Sequence, residues 1–311
     1  MKPCRPLLPT CLVAAVLAAG CAVGPDYQRP DAPTPAAFKE APKGGAGWFP
    51  AAPADLLDRG PWWQLFGDPE LDALVAQVQV SNQNVAAAVA SYAQARALVR
   101  QQRASFFPSL GLSGSAARSG GSGRSGTSSG GSANSYQLGL DSSWAPDVWG
   151  RLSRTVEGAQ ASAQASQADL AAATLSAQAE VATNYFSLRD ADAELGLLRS
   201  TVEGYERALT ITQNRYNAGI AAKTDVLQAQ TQLASTKADL VTLEGQRAQL
   251  EHAIAILVGK APADFTLTPG AWNTTVPALP VALPSTLLER RPDVAAAERA
   301  VAAANAQIGV Q

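Results

Sequence analysis

Apolar positions recur at three- and four-residue steps over two long stretches of the chain. From Arg151 to about Tyr216, Leu152, Val156, Ala159, Ala163, Ser166 and Leu170 step by four and three, and Leu195, Leu198, Val202, Tyr205, Leu209, Thr212 and Tyr216 step by three and four. This is the seam of a coiled coil. The interval from Leu170 to Val181, through Thr174 and Ala177, is a heptad with a stutter, which straightens the supercoil locally. No Pro interrupts the stretch, and about 66 residues at ~1.5 Å each give a rod of roughly 100 Å over 148–217. It is expected to stop at Asn217-Ala218-Gly219, where Gly219 can adopt the left-handed conformation of a helix end. A return helix over 225–258 keeps the period through Val226, Ala229, Leu233, Thr236, Leu240, Leu243, Arg247, Leu250, Ile254 and Leu257, then meets Gly259 and Pro262. Thr224 or Asp225 is its expected N-cap, with Gln228 three positions beyond Asp225. The two helices form a hairpin with its tip at 218–224.

Elsewhere the period is two. Leu110 and Leu112 alternate with Gly111 and Ser113, and Tyr136, Leu138, Leu140, Ser142 and Trp144 alternate with small or polar residues. The runs have about the ten-residue length of a membrane barrel strand, predicting a transmembrane β-hairpin over 108–147. Arg118 to Ser135, dominated by Gly and Ser, reads as its solvated loop. A hairpin on the edge of a soluble sheet is the alternative, but no other clear strands supply that sheet. Trp144 and Tyr136 suit either a lipid–water boundary or an ordinary sheet. Upstream, 62–83 predicts short amphipathic helices starting near Asp68-Pro69, and 84–107 an Ala-rich helix opened by Asn84 and stopped before Pro108.

Composition narrows the function. Of 311 residues 47% are hydrophobic, mostly Ala, and 16% charged, with a net charge of -2, which excludes a disordered tail and a polybasic nucleic-acid binder. Aromatics at 6% suit closely packed helices better than a conventional enzyme core. His252 lies on the return helix, and Asp190, Asp192 and Glu194 read as a solvated acidic run. No constellation of acid, base and nucleophile emerges, so no enzyme, metal or cofactor is expected.

Lys2 and Arg5 precede an apolar run from Leu12 to Ala19 that ends in Leu17-Ala18-Ala19-Gly20-Cys21, a signal peptide over 1–20. The tetrad ending in Cys21 resembles the bacterial lipobox, making Cys21 the expected site of a covalent lipid. Ala22, where an inner-membrane lipoprotein carries Asp, favours the outer membrane. Cleavage leaves Cys21 as the sole cysteine, so no disulfide holds the fold. The Pro- and Gly-rich lipidated segment 21–61 is expected to be extended.

At an offset of 209, Val85-Ala86-Ala87-Ala88 aligns with Val294-Ala295-Ala296-Ala297, and Asn84 with Asp293 at the expected helix starts. After an equatorial loop over 259–283, the second copy occupies 284–311 and ends within its opening helix, so the chain reads as C-terminally truncated.

Cys21-Ala-Val-Gly-Pro-Asp-Tyr27, Trp63-Gln-Leu-Phe-Gly-Asp68 and Ser143-Trp-Ala-Pro-Asp-Val-Trp-Gly-Arg151 resemble the lipoprotein branch of the outer membrane factor family, the TolC-like efflux ducts. Arg215-Tyr-Asn-Ala-Gly219, Thr224-Asp-Val-Leu-Gln-Ala229 and Leu283-Pro-Ser-Thr-Leu-Leu-Glu-Arg-Arg-Pro-Asp-Val294 are similar to its further motifs. The resemblance implies a mainly α fold with a membrane β-hairpin: a homotrimer whose long coiled-coil helices form a periplasmic α-barrel and whose strands share one outer-membrane β-barrel. The implied partners are outer-membrane lipid, a periplasmic adaptor (membrane fusion protein) and an inner-membrane RND-type pump, with no nucleic acid. Passive conduction of drugs, toxic compounds or metals is the implied function. Tyr216, Asn217, Gly219, Lys223, Thr224 and Asp225 are the expected adaptor-docking tip, and Leu110, Leu112, Tyr136, Leu138, Leu140 and Trp144 the expected membrane-strand residues. Arg290-Arg291-Pro292-Asp293 reads as a hinge into the second repeat.

Two rivals compete with an efflux duct. Type I protein secretion uses the same architecture. A structural coiled-coil lipoprotein explains Cys21 and the heptads but neither the strand pair nor the repeat.

Overall fold

The computed structural model describes residues 23–29, 60–120, 132–270 and 290–311. The signal peptide, Cys21, most of 21–61, the centre of the Gly/Ser loop, and 271–289, which holds part of the 259–283 loop and the first residues of the motif after it, lie outside the described residues. The elements are α1 (Pro69–Ser81), α2 (Gln83–Ala104), β1 (Ser109–Gly120), β2 (Ser132–Ser143), α3 (Arg151–Asn217), α4 (Lys223–Leu257) and α5 (Pro292–Ile308), with 3-10 turns at Trp62–Phe66 and Pro262–Asp264. Two compact units divide them, one holding 93–166 with 23–29 and 296–311, the other holding 60–92 and 167–295.

In the second unit α1 starts where Asp68 caps it. One carboxylate oxygen accepts the N–H groups of Glu70 at 2.9 Å and Leu71 at 3.2 Å, and Pro69 fills the first helical position, where no N–H is needed. The other oxygen accepts the Tyr185 hydroxyl at 2.6 Å. Burial and this bond push the Tyr185 phenol up to about 12. Leu71, Leu74, Val75 and Val78 form the buried stripe of α1, packed with Val181, Tyr185 and Leu188 of α3 and Ile254 and Leu257 of α4. Each such side chain contributes roughly 1.5–3 kcal/mol when fully buried.

The seam of α4 faces inward: Val226, Thr236, Leu243, Ile254 and Leu257 are buried, and the positions between them half-buried. Leu243 meets Ala191 and Leu195 of α3 in a satellite cluster. Next to it lies a feature that the acidic-run reading missed. Asp190 and Glu194 are exposed, but the Asp192 side chain is only 3% exposed, and accepts bonds from Arg247 at 2.5 Å, Arg189 at 3.1 Å and the Gly270 N–H at 3.2 Å. Arg189 also pairs with Glu70 and donates to the Thr268 carbonyl at 2.7 Å, while Arg247 reaches the Leu267 carbonyl at 2.8 Å. Glu251 accepts the Leu267 N–H at 2.6 Å. The network ties the segment after the Pro262–Asp264 turn to α3 and α4, with buried charges paired as a low-dielectric setting requires.

Two helix starts differ from expectation. Asn82, not Asn84, caps α2, its carboxamide oxygen accepting the N–H groups of Asn84 at 2.9 Å and Val85 at 3.1 Å while its amide donates to the Leu257 carbonyl. Helix α4 is capped at Ala222 rather than Thr224 or Asp225. Ala222 offers only a methyl group, so the cap rests on Asp225, whose carboxylate reaches back to the Ala222 N–H at 3.3 Å. Helices α2 and α5 begin at Gln83 and Pro292, which correspond at the offset of the internal repeat.

Candidate functional site

In the first unit β1 and β2 pair antiparallel from Ser109↔Ser143 to Gly120↔Ser132. Directly opposed residues share a face. Leu110, Leu112, Gly114 and Ala116 therefore lie with Ser142, Leu140, Leu138 and Tyr136, while Gly111, Ser113 and Ser115 lie with Asp141, Gly139 and Gln137. One face is apolar and the other small or polar. The strands run beyond the expected ends: Arg118–Gly120 and Ser132–Ser135, read from sequence as loop, belong to the ladder, because Gly- and Ser-rich composition does not stop backbone pairing once a register is set. Leu110, Leu112, Tyr136, Leu138 and Leu140 are 71–80% exposed. An apolar face of this extent left open to water marks a membrane or partner surface. Trp144 stands just beyond β2, its indole N–H donating to the Phe106 carbonyl at 3.0 Å.

The hairpin's foot is a built corner. Gly150 takes φ 79°, and Asp147 accepts the N–H groups of Leu152 at 2.9 Å and Ser153 at 2.8 Å across it. Desolvation opposes ionisation there, but these backbone bonds outweigh it and hold the Asp147 carboxyl below its usual range. The segment 23–29 crosses the start of α3. Val23 N–H meets the Trp149 carbonyl at 3.4 Å, and Arg154 holds the Gly24 carbonyl at 3.2 Å and Asp26 at 2.7 Å. The same segment reaches α5, where the Tyr27 hydroxyl donates to Glu298 at 3.1 Å and the Asn305 amide to the Pro25 carbonyl at 2.8 Å. Sequence reasoning missed these contacts, since a Pro- and Gly-rich stretch carries no period.

At the far end of α3, in the second unit, the chain turns over Ala218–Ala222. Gly219 takes φ 75°, its N–H bonds the Tyr216 carbonyl at 2.9 Å, and Ile220 N–H bonds the Arg215 carbonyl at 2.9 Å. This is a Schellman stop. Tyr216, Asn217, Gly219, Lys223, Thr224 and Asp225 are all exposed on this turn and its flanks. Ile220, not among the expected tip residues, is 70% exposed at its centre; an apolar residue directly after a helix-ending Gly was the signal for it. Arg291 pairs with Asp293 at 2.6 Å at the start of α5, which holds the Asp293 carboxyl below its usual range. His252 is exposed. Among the described residues no group of His, Cys, Asp or Glu is arranged to hold a metal, and no helix is long and apolar enough to cross a membrane.

A family model described as outer membrane efflux protein matches residues 74–260. The chain is 30% identical to the cation efflux system protein CusC of Escherichia coli K12, over 99% of this chain and 65% of that protein. It is 30% identical to the toluene efflux pump outer membrane protein TtgC of Pseudomonas putida, over 96% of this chain and 61% of that protein. Among solved structures it superposes on the outer-membrane channel OprN with a TM-score of 0.77 and 34% identity, covering 93% of this chain and 64% of that one. The chain thus spans less than two thirds of the length of these relatives.

Proposed function

The chain belongs to the outer membrane efflux protein family, and from that premise we propose that it forms the outer-membrane exit duct of a tripartite efflux system. A periplasmic adaptor and an inner-membrane RND-type pump deliver small molecules or metal ions, and the duct conducts them passively to the exterior. One observation carries this reading. The helical hairpin has further apolar seams turned away from the one that joins its own two helices. On α3, Leu197, Gly204 and Ile211 recur every seven residues, with Leu197 67% and Ile211 60% exposed. On α4, Leu227, Ala234, Val241 and Ala248 do the same, with Leu227 51% and Val241 66% exposed.

A helix pair with unpartnered seams on both helices takes a neighbour on each side, and repetition about an axis closes a tube. The β-hairpin obeys the same logic, since two strands leave unpaired edges that hydrocarbon does not tolerate. Strands from other copies and from a second repeat supply the missing pairs, in a homotrimer. Cys21, lipidated after cleavage at Gly20, tethers the assembly to the outer membrane, and the turn at Tyr216, Asn217, Gly219, Lys223, Thr224 and Asp225 docks the adaptor. Relatives named for cation and toluene efflux favour small cargo over secreted protein.

The test is complementation of a strain lacking the duct gene, using the full-length protein. The wild type is expected to restore resistance to pump substrates. Gly219→Val, which forces a β-branched side chain into the left-handed region, is expected to reach the outer membrane as a trimer and fail to restore resistance. Full resistance with undiminished adaptor crosslinking in that variant excludes the tip as the docking surface.

A further inference from the structure

In the first unit α2 runs into β1 through 105–108, and β2 leaves through Trp144 toward α3, so two helix ends and two strand ends meet at the hairpin's foot. A groove of about 750 Å³ opens there. Its walls carry two chemistries. Phe107, Pro108 and Trp144 line the strand side, and Gln101, Gln102 and Arg151 the helix side. The aromatic wall is fixed by the bond from the Trp144 indole to Phe106, yet Phe107 and Trp144 remain 72% and 60% exposed. Arg151 is exposed at the first position of α3; its charge also favours the ionised form of nearby Asp147, whose two oxygens accept backbone N–H groups, and no ion pair within 4 Å joins the two.

The adjoining flank of α2 is basic. Arg96, Arg100 and Arg103 step by four and three and share one helix face. Arg100 and Arg103 are exposed and form no ion pair among the described residues. Charge complementarity identifies the occupant of the groove. A second copy covering this flank would have to bring carboxylates to it. Among the acids described in the unit, Asp26, Asp147, Glu157 and Glu298 are each bonded within it, so a copy meeting this flank through the same unit brings only Asp141 on β2 to the three arginines. Aromatic rings ending an apolar hairpin, with arginines one to two turns beyond, match instead the boundary from hydrocarbon to headgroup.

We propose that this groove binds the phosphodiester headgroup of an anionic glycerophospholipid from the periplasm-facing leaflet. Arg151, Gln101 and Gln102 hold the phosphate, Phe107 and Trp144 flank the start of the acyl chains, and Arg100 and Arg103 attract the anion. The inference rests on the reading that the hairpin spans the membrane.

The experiment uses the purified full-length protein in detergent, titrated with phosphatidylglycerol and with phosphatidylcholine of the same acyl chains, with bound lipid counted by native mass spectrometry. The wild type is expected to retain phosphatidylglycerol about tenfold better than phosphatidylcholine, which carries the same phosphate but adds a choline cation that Arg151, Arg100 and Arg103 repel. Arg151→Gln is expected to erase that preference and Arg151→Lys to keep part of it. Arg100→Gln and Arg103→Gln are each expected to weaken binding about fivefold, less so at high salt. Equal retention of both lipids by the wild type overturns the proposal. So does displacement of phosphatidylglycerol by equimolar inorganic phosphate, which would reveal a bare anion site, or an Arg151→Gln variant that changes assembly state and leaves lipid preference intact. Extraction of the wild type from native membranes by alkaline carbonate would defeat the membrane reading itself; resistance to extraction with no lipid preference defeats only the groove.

Discussion

Gly259, at φ 72°, lies so close against Ser81 that a β-carbon on it would stand 2.8 Å from the Ser81 β-carbon and 2.9 Å from its carbonyl carbon. The glycine ends α4 in a second Schellman turn, Lys260 N–H bonding the Ala255 carbonyl at 2.8 Å, and lets the end of α1 pack on it. Gly219 has a similar φ of 75° with open space around it. Gly219→Ala is therefore expected to cost about 1 kcal/mol from backbone conformation alone. Gly259→Ala adds overpacking against backbone and is expected to cost ~3 kcal/mol in total. Denaturant unfolding of the two variants measures the difference, and equal losses contradict the close approach.

Removing the charge at the centre of the Arg189–Asp192–Arg247 network should be among the most damaging single changes in the helical hairpin. Asp192→Asn leaves two guanidinium groups with one carboxylate fewer in a buried setting, an expected loss of about 3–5 kcal/mol. Asp190→Asn, one residue away and exposed, is expected to stay within about 0.5 kcal/mol. Thermal unfolding of the two variants side by side makes the comparison.

The contrast between these neighbours shows what the sequence carried and what it did not. The seams of α3 and α4 and the two-residue period of the strands were legible because burial imposes a repeat that survives in one dimension. Arg247 also fell on the seam, a charged residue where Leu or Ile belongs, and that anomaly was the available sign of a buried partner. Its identity was not legible, because it depends on the register between α3 and α4. The caps at Asn82 and Ala222 show the same limit at short range: several polar residues compete for one helix start, and backbone geometry selects among them. The bonds of 23–29 to Arg154 and α5 join positions far apart in the chain through a few polar atoms, which no local pattern encodes.

Asp147 should make the start of α3 acid-sensitive. Its carboxyl is held below the ordinary value near 3.9, so its contribution is fully present above that pH and is lost as pH falls through the lower folded value. Asp147→Asn lacks this dependence. The stability gap between wild type and variant, followed by fluorescence of the neighbouring Trp149 and Trp144, is expected to be widest at neutral pH and to close below about pH 4. A gap constant with pH would mean that the carboxylate's charge is not what caps the helix.

The apolar face of the hairpin should tolerate charge far less than the opposite face. Leu138→Arg places a guanidinium where lipid is expected, a cost of ~2–4 kcal/mol at mid-depth. Gln137→Arg, on the polar face, is expected to leave membrane insertion unchanged. Heat-modifiable mobility of the assembled barrel on gels distinguishes the two.

An outer-membrane duct requires the Gly/Ser loop to face outward and the helical tip to face the periplasm. Cysteines introduced separately at Ser128 and Ala221, in the full-length protein carrying its native Cys21, are to be probed in living cells with a membrane-impermeant maleimide. The prediction is that Ser128→Cys labels on intact cells and Ala221→Cys only after the outer membrane is permeabilised. Labelling of Ala221→Cys on intact cells with Ser128→Cys protected would contradict an outer-membrane duct with its helical tip in the periplasm.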